Sequence, residues 1–155
     1  MRKRIIEQDS HEKAVAEHDW LNLEALIQVE MSSEDGGHPI EAALVPGGGI
    51  WRAAESGKQM IRLLFDAAQD IGMIRLVFQE NEQERTQEFV LRWSADGESY
   101  HDVARQQYNF SRPDSMRELE DYAVELRGVK AMELTIIPNI SGGDSRATLA
   151  EWRIA

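Results

Sequence analysis

The chain has 155 residues, 42% of them hydrophobic, no cysteine and a formal net charge of -11. This length suits one domain that buries roughly two thirds of its extended surface without a staple. The missing cysteines exclude disulfides, thiolate nucleophiles and cysteine-type zinc sites, and the acidity argues against nucleic acid or anionic lipid, both of which need clustered Lys and Arg.

Residues 1–20 are charged and read as a tail or short helix, with 21–155 as the domain. Asp9 and Glu12 resemble a capping box, and His11 and His18 are best read as solvated. Arg2-Lys3-Arg4 precedes Ile5 and Ile6, but Glu7, Gln8 and Asp9 interrupt any export signal. No apolar run reaches the ~18 residues of a membrane helix, so a soluble, cytoplasmic protein is expected.

Alternation over 23–31 puts Leu23, Ala25, Ile27, Val29 and Met31 on one side, which predicts a first strand. Residues 32–38 read as a loop and 39–44 as about one helical turn. Pro46-Gly47-Gly48-Gly49 lacks the lysine and spacing of a Walker loop; Gly57-Lys58 is followed by Gln59, with Arg52 where the first glycine belongs. Nucleotide binding is not expected. Residues 59–65 and 71–78 read as two strands separated by a loop at 66–70, and 79–85 as a charged loop.

Residues 87–100 carry the strongest pattern, a strand with Phe89, Leu91 and Trp93 on the buried side, then an Asp96-Gly97 turn. A long irregular segment is expected over 106–120, since such connections in compact domains tend to be binding loops. Further strands are expected at 122–126 and 132–136, separated by a turn at Gly128, and at 150–154. About eight strands with little helix predict an antiparallel β-sandwich or jelly roll.

Six segments in order carry a family likeness: Met31-Ser32-Ser33-Glu34; Pro39-Ile40-Glu41-Ala42-Ala43-Leu44; Gly49-Ile50-Trp51-Arg52-Ala53; Gln59-Met60-Ile61-Arg62-Leu63; Phe89-Val90-Leu91-Arg92-Trp93-Ser94-Ala95-Asp96-Gly97; and Leu149-Ala150-Glu151-Trp152-Arg153-Ile154. In this set the chain, from about residue 23 to the end, resembles discoidin (coagulation factor V/VIII type C) domains. The resemblance implies a galactose-binding-like jelly roll that binds sugars, phospholipid headgroups or protein surfaces through loops at one end, without catalysis. Many bacterial relatives hold calcium with an Asp-Gly loop and a glutamate in the last strand. Here Val45-Pro46-Gly47 occupies that loop and Glu151 alone survives, so no metal is expected and Glu151 is expected to pair with an arginine or accept backbone hydrogen bonds.

Galactose-binding relatives place a histidine after the tryptophan, where this chain has Arg52. Sugar sites need planar polar forks and an aromatic face. Arg52, Asn81, Arg85 and Asn139 are the candidate forks and Tyr108 the candidate face. Trp51 and Trp93 are assigned to the core, and Glu80, Glu82 and Glu84 to a solvated loop. Neither apolar spikes nor basic flanks suit the loops to membranes, and no Gly-x-Ser-x-Gly or similar pattern accompanies His38 or His101. The expectation is a non-catalytic module for carbohydrate or another small polar ligand. The alternative is a protein-interaction or oligomerisation domain, a homo-oligomer being one form of it, using a sheet face or the 106–120 segment with Tyr108, Phe110, Pro113 and Met116. No cofactor is expected.

Overall fold

A computed structural model describes residues 19–155. The expected tail or helix, apart from Asp19 and Trp20, and the pair His11 and His18 lie outside the described residues. A 3-10 turn at Leu23–Ala25 leads to β1 (Ile27–Met31), α1 (Ile40–Leu44), β2 (Trp51–Arg52), β3 (Gln59–Gln79), β4 (Arg85–Ser94), β5 (His101–Phe110), β6 (Arg117–Ile137), β7 (Thr148–Leu149) and β8 (Glu151–Ile154).

All strand pairings are antiparallel. One layer runs β1-β3-β6-β4-β5, using the N-terminal half of β3 and the C-terminal half of β6. In it Ile61 pairs with Leu134 and Leu134 with Leu91. The other halves of the same strands build a second layer with β8, where Leu76 lies between Glu120 and Trp152. Burial alternates over Gln59–Phe65, where every second side chain faces the opposite layer, whereas Met73 with Ile74 and Leu76 through Phe78 are buried in succession. Phe78 and Phe89, one from each layer, stack at 5.0 Å between ring centroids. Trp51 and Trp152 are fully buried, and Trp93 packs half-buried against the same core.

Several local expectations are corrected. Leu23 to Ala25 form the 3-10 turn, closed by Leu26 N–H donating to Leu23 O at 2.9 Å, so β1 starts at Ile27. The expected loops at 66–70 and at Gly128 are bends inside continuous strands. Register slips between Leu64 and Met73 re-aim β3 without ending it, as β-bulges do. Gly128 takes φ +65°, and its N–H donates to Asp70 Oδ1 at 2.9 Å, fastening the two bends together. The Asp96-Gly97 turn is a wider loop over 95–100, built on the Asp96 carboxylate, which accepts the N–H groups of Glu98 and Ser99 at 2.8 Å. The 106–120 segment is mostly strand; only 111–116 connects β5 to β6, around a cis Arg112-Pro113 bond.

Candidate functional site

Pairing of the short strands β2 and β7 sets Arg52 opposite Thr148. Beside them the β3–β4 connection, 80–84, crosses the end of the sandwich. Between these pieces lies a recess of about 120 Å³ lined by His38, Ile50, Arg52, Gln79, Glu80, Asn81, Glu82 and Thr148. It opens at the loop end.

The wall made by 80–84 is braced from within. Arg85 is fully buried, with Nε donating to Glu80 Oε1 at 2.6 Å, Nη1 to Pro138 O at 2.8 Å and to Gln87 Oε1 at 3.2 Å, and Nη2 to Thr148 Oγ1 at 3.2 Å. Its guanidinium also lies over the Phe110 ring at 4.7 Å. The other oxygen of Glu80 accepts the N–H groups of Glu82 at 2.9 Å and Gln83 at 3.3 Å, which curls the loop. Burial pushes the Glu80 carboxyl up, but Arg85 and the two N–H groups together hold it below the ordinary carboxylate value. Burial lowers Arg85 from the guanidinium range while Glu80 pushes it back up. A guanidinium starts so far above neutrality that Arg85 keeps its charge. From outside, Arg112 Nη2 donates to Glu82 O at 2.7 Å.

On the opposite wall, the main chain of Arg52 is held by His38 O, which accepts its N–H at 3.2 Å, and by Asp35 N–H, which donates to its carbonyl at 2.9 Å. His38 Nδ1 is 3.0 Å from Asp35 Oδ2, and that hydrogen bond leads the effects that lower the exposed Asp35 carboxyl. Arg52 Nη2 reaches Glu82 Oε2 at 3.3 Å, while its Nε has no hydrogen-bond partner. Gln79 Nε2 donates to Asn81 Oδ1 at 3.0 Å, leaving the Asn81 amide nitrogen at an exposed position on the recess. The recess therefore offers a guanidinium, two carboxamides and an imidazole around Ile50, a set that matches vicinal hydroxyl groups.

Of the five residues expected from sequence, the structure brings Arg52 and Asn81 together in the recess. Arg85 lies beneath it, sealed from solvent. Tyr108 is on β5, its ring 5.0 Å from Phe110 and its hydroxyl donating to Arg117 O at 3.0 Å, so it offers no face to the recess. Asn139 caps its own turn, accepting Ser141 N–H at 3.1 Å. Glu80 is buried as the counter-ion of Arg85 and is no solvated loop residue. His38, Ile50, Gln79 and Thr148 were not anticipated; they carry no local signal, because strand pairing alone gathers them.

Of the apolar side chains expected on the 106–120 segment, Phe110 is fully buried and Tyr108 half-buried against it, whereas Pro113 is exposed and Met116 half-buried. Glu151 is engaged by Arg153 at 3.1 Å. Among the described residues no group of three or more His, Cys, Asp or Glu side chains is placed to hold a metal ion.

No family model and no curated protein matches this chain. Solved structures do. The CBM32 of AlyQ in complex with 4,5-unsaturated mannuronic acid is 20% identical, with 89% of this chain and 98% of that chain covered and a TM-score of 0.63. The family 32 CBM from C. perfringens NanJ in complex with galactose is 12% identical, with 87% and 96% covered and a TM-score of 0.62. CpGH89CBM32-5 from Clostridium perfringens, in complex with GalNAc-beta-1,3-galactose, is 16% identical, with 88% and 99% covered and a TM-score of 0.62. At these identities the likeness shows the fold: an antiparallel β-sandwich, as the alternation leads one to expect, of the galactose-binding-like form that the resemblance implies.

Proposed function

We propose that the chain is a non-catalytic carbohydrate-binding module that holds a saccharide in the loop-end recess, with Arg52 and Asn81 as its principal hydrogen-bonding groups. The observation that carries this reading is the convergence of Arg52, Asn81, Gln79 and His38 on one small opening whose wall is fixed by a buried ion pair. Preorganised donors of this kind spend little entropy on binding. The neighbours of known structure, caught with mannuronate, galactose and a GalNAc-galactose disaccharide, support a saccharide as the ligand class.

Of the carboxylates at the recess, Glu80 is paired with Arg85 beneath it and Glu82 with Arg52 at its rim. A glycan array tests the reading, with Arg52→Ala beside the parent protein. Retention of defined glycans by the parent and their loss in the variant is the expected result. Silence of the parent across the array contradicts it.

A further inference from the structure

The outward face of the larger layer carries a second feature, lined by none of the recess residues. Strand register sets Glu30, Arg62, Glu133, Arg92 and Asp102 in one row across five strands, alternating in sign. Arg62 bridges Glu30 at 3.1 Å and Glu133 at 2.9 Å, and Arg92 meets Asp102 at 3.1 Å. The Tyr100 ring lies 5.6 Å from the Arg62 guanidinium and 5.7 Å from that of Arg92, fencing this row. The next row, Met60, Thr135, Val90 and Arg105, is the floor of a trough of about 480 Å³, with Lys58 at one end and Arg105 at the other.

What this trough presents to water is biased toward positive charge in a strongly acidic protein. Glu133 and Glu88 are largely withdrawn, their side chains 9% and 19% exposed, whereas Arg105 is 60% exposed and only loosely paired with Glu88 at 3.7 Å. Lys58 is exposed and makes no ion pair among the described residues. Asp102 is the exposed anion of the lining, and Arg92 neutralises it. Met60 and Arg105 stand three interstrand steps apart, about 14 Å, and Lys58 precedes Met60 by two residues, which places the two cations roughly 16 Å apart. Between them, apolar Met60 and Val90 flank the Thr135 hydroxyl.

We propose that this trough is a second saccharide-binding surface, for a short anionic oligosaccharide of uronate units laid across the strands. Lys58 and Arg105 take carboxylates at its two ends, and the sugar C–H faces rest on Met60 and Val90. Under Met60, Thr135 and Val90 the floor strands β3, β6 and β4 are already paired on both edges, so a peptide laid over them gains no main-chain hydrogen bonds there. A pyranose chair that sets C–H groups on one face and carries a carboxylate makes fuller use of the surface.

The test is titration of the full chain with tetragalacturonate and tetramannuronate, read by calorimetry and by the Met60 and Val90 methyl resonances. Methyl-esterified tetragalacturonate and hexaglutamate serve as controls. Saturable binding of either uronate is expected, moving both methyls, with the affinity read from those methyls weakening at least tenfold in Lys58→Gln/Arg105→Gln. The neutral ester and the peptide are expected to leave the methyls in place. Absence of methyl shifts with both uronates overturns the proposal, as does their retention in the double variant or equal affinity for the ester or hexaglutamate. Unchanged thermal melting of the double variant excludes misfolding as the source of a loss; if it melts early, Lys58→Gln and Arg105→Gln are titrated singly, and retention by both overturns the proposal.

Discussion

Arg85 Nε donates to Glu80 Oε1 across 2.6 Å inside the protein, directly under the recess that Arg52 and Asn81 line. The pair ties the first residue of β4 to the connection before it and, through Pro138 and Thr148, to two segments more than 50 residues away in sequence. Its placement makes it a support for the recess wall and withdraws it from any ligand.

Removing one partner of such a pair strands the other charge without water. Arg85→Ala is expected to cost about 3–5 kcal/mol in urea-induced unfolding. Arg85→Met combined with Glu80→Gln is expected to recover part of that loss, because no uncompensated ion is left behind. A double variant no more stable than Arg85→Ala contradicts this account of the pair.

Glu118 gives stability a pH dependence of unusual sign. Its side chain is buried, Oε1 accepts Gln87 Nε2 at 3.3 Å and Oε2 has no partner. Burial first, then the neighbouring Glu120 carboxyl, pushes its pKa up to about 8. Between about 4.5, the ordinary value, and about 8 the native state holds a proton that the unfolded chain has lost. Stability therefore falls as pH rises through that window and levels off above it. Glu118→Gln is expected to flatten the dependence and to gain roughly 1–3 kcal/mol at pH 9, the cost otherwise paid by a poorly satisfied buried group. Parallel curves of stability against pH for variant and parent contradict the assignment.

The bend shared by β3 and β6 has its own test. At Gly128 an added Cβ meets nothing within 4 Å, so Gly128→Ala isolates the cost of holding φ at +65°. The expected loss is about 1–2 kcal/mol by denaturant titration. An unchanged or stabilised variant shows that the bend does not depend on this conformation.

Sequence made the alternating strands legible and left the long-range geometry dark. Phe89 and Leu91 announce a half-buried strand because their neighbours Glu88 and Arg92 are polar, and the structure buries the pair as that pattern requires. Asp66-Ala67-Ala68-Gln69-Asp70 has loop composition, yet it stays extended, since its cross-strand partners near Gly128 are almost 60 residues downstream. Arg52 and Asn81 were identifiable as polar forks, but their meeting depends on the two-residue pairing of β2 with β7. Arg85 was read as a third fork for the same chemical reason. Only the positions of Glu80, Gln87, Pro138 and Thr148 reveal that its donors are already taken.

Saccharide titration followed by backbone amide NMR examines the loop-end recess most directly. With a glycan selected from the array, saturable shifts are expected at His38, Arg52, Asn81 and Thr148. Affinity is expected to fall at least tenfold, about 1.4 kcal/mol, in Arg52→Ala with unchanged thermal melting. Shifts confined to other surfaces, or full affinity in Arg52→Ala, contradict the assignment of this recess as the binding site.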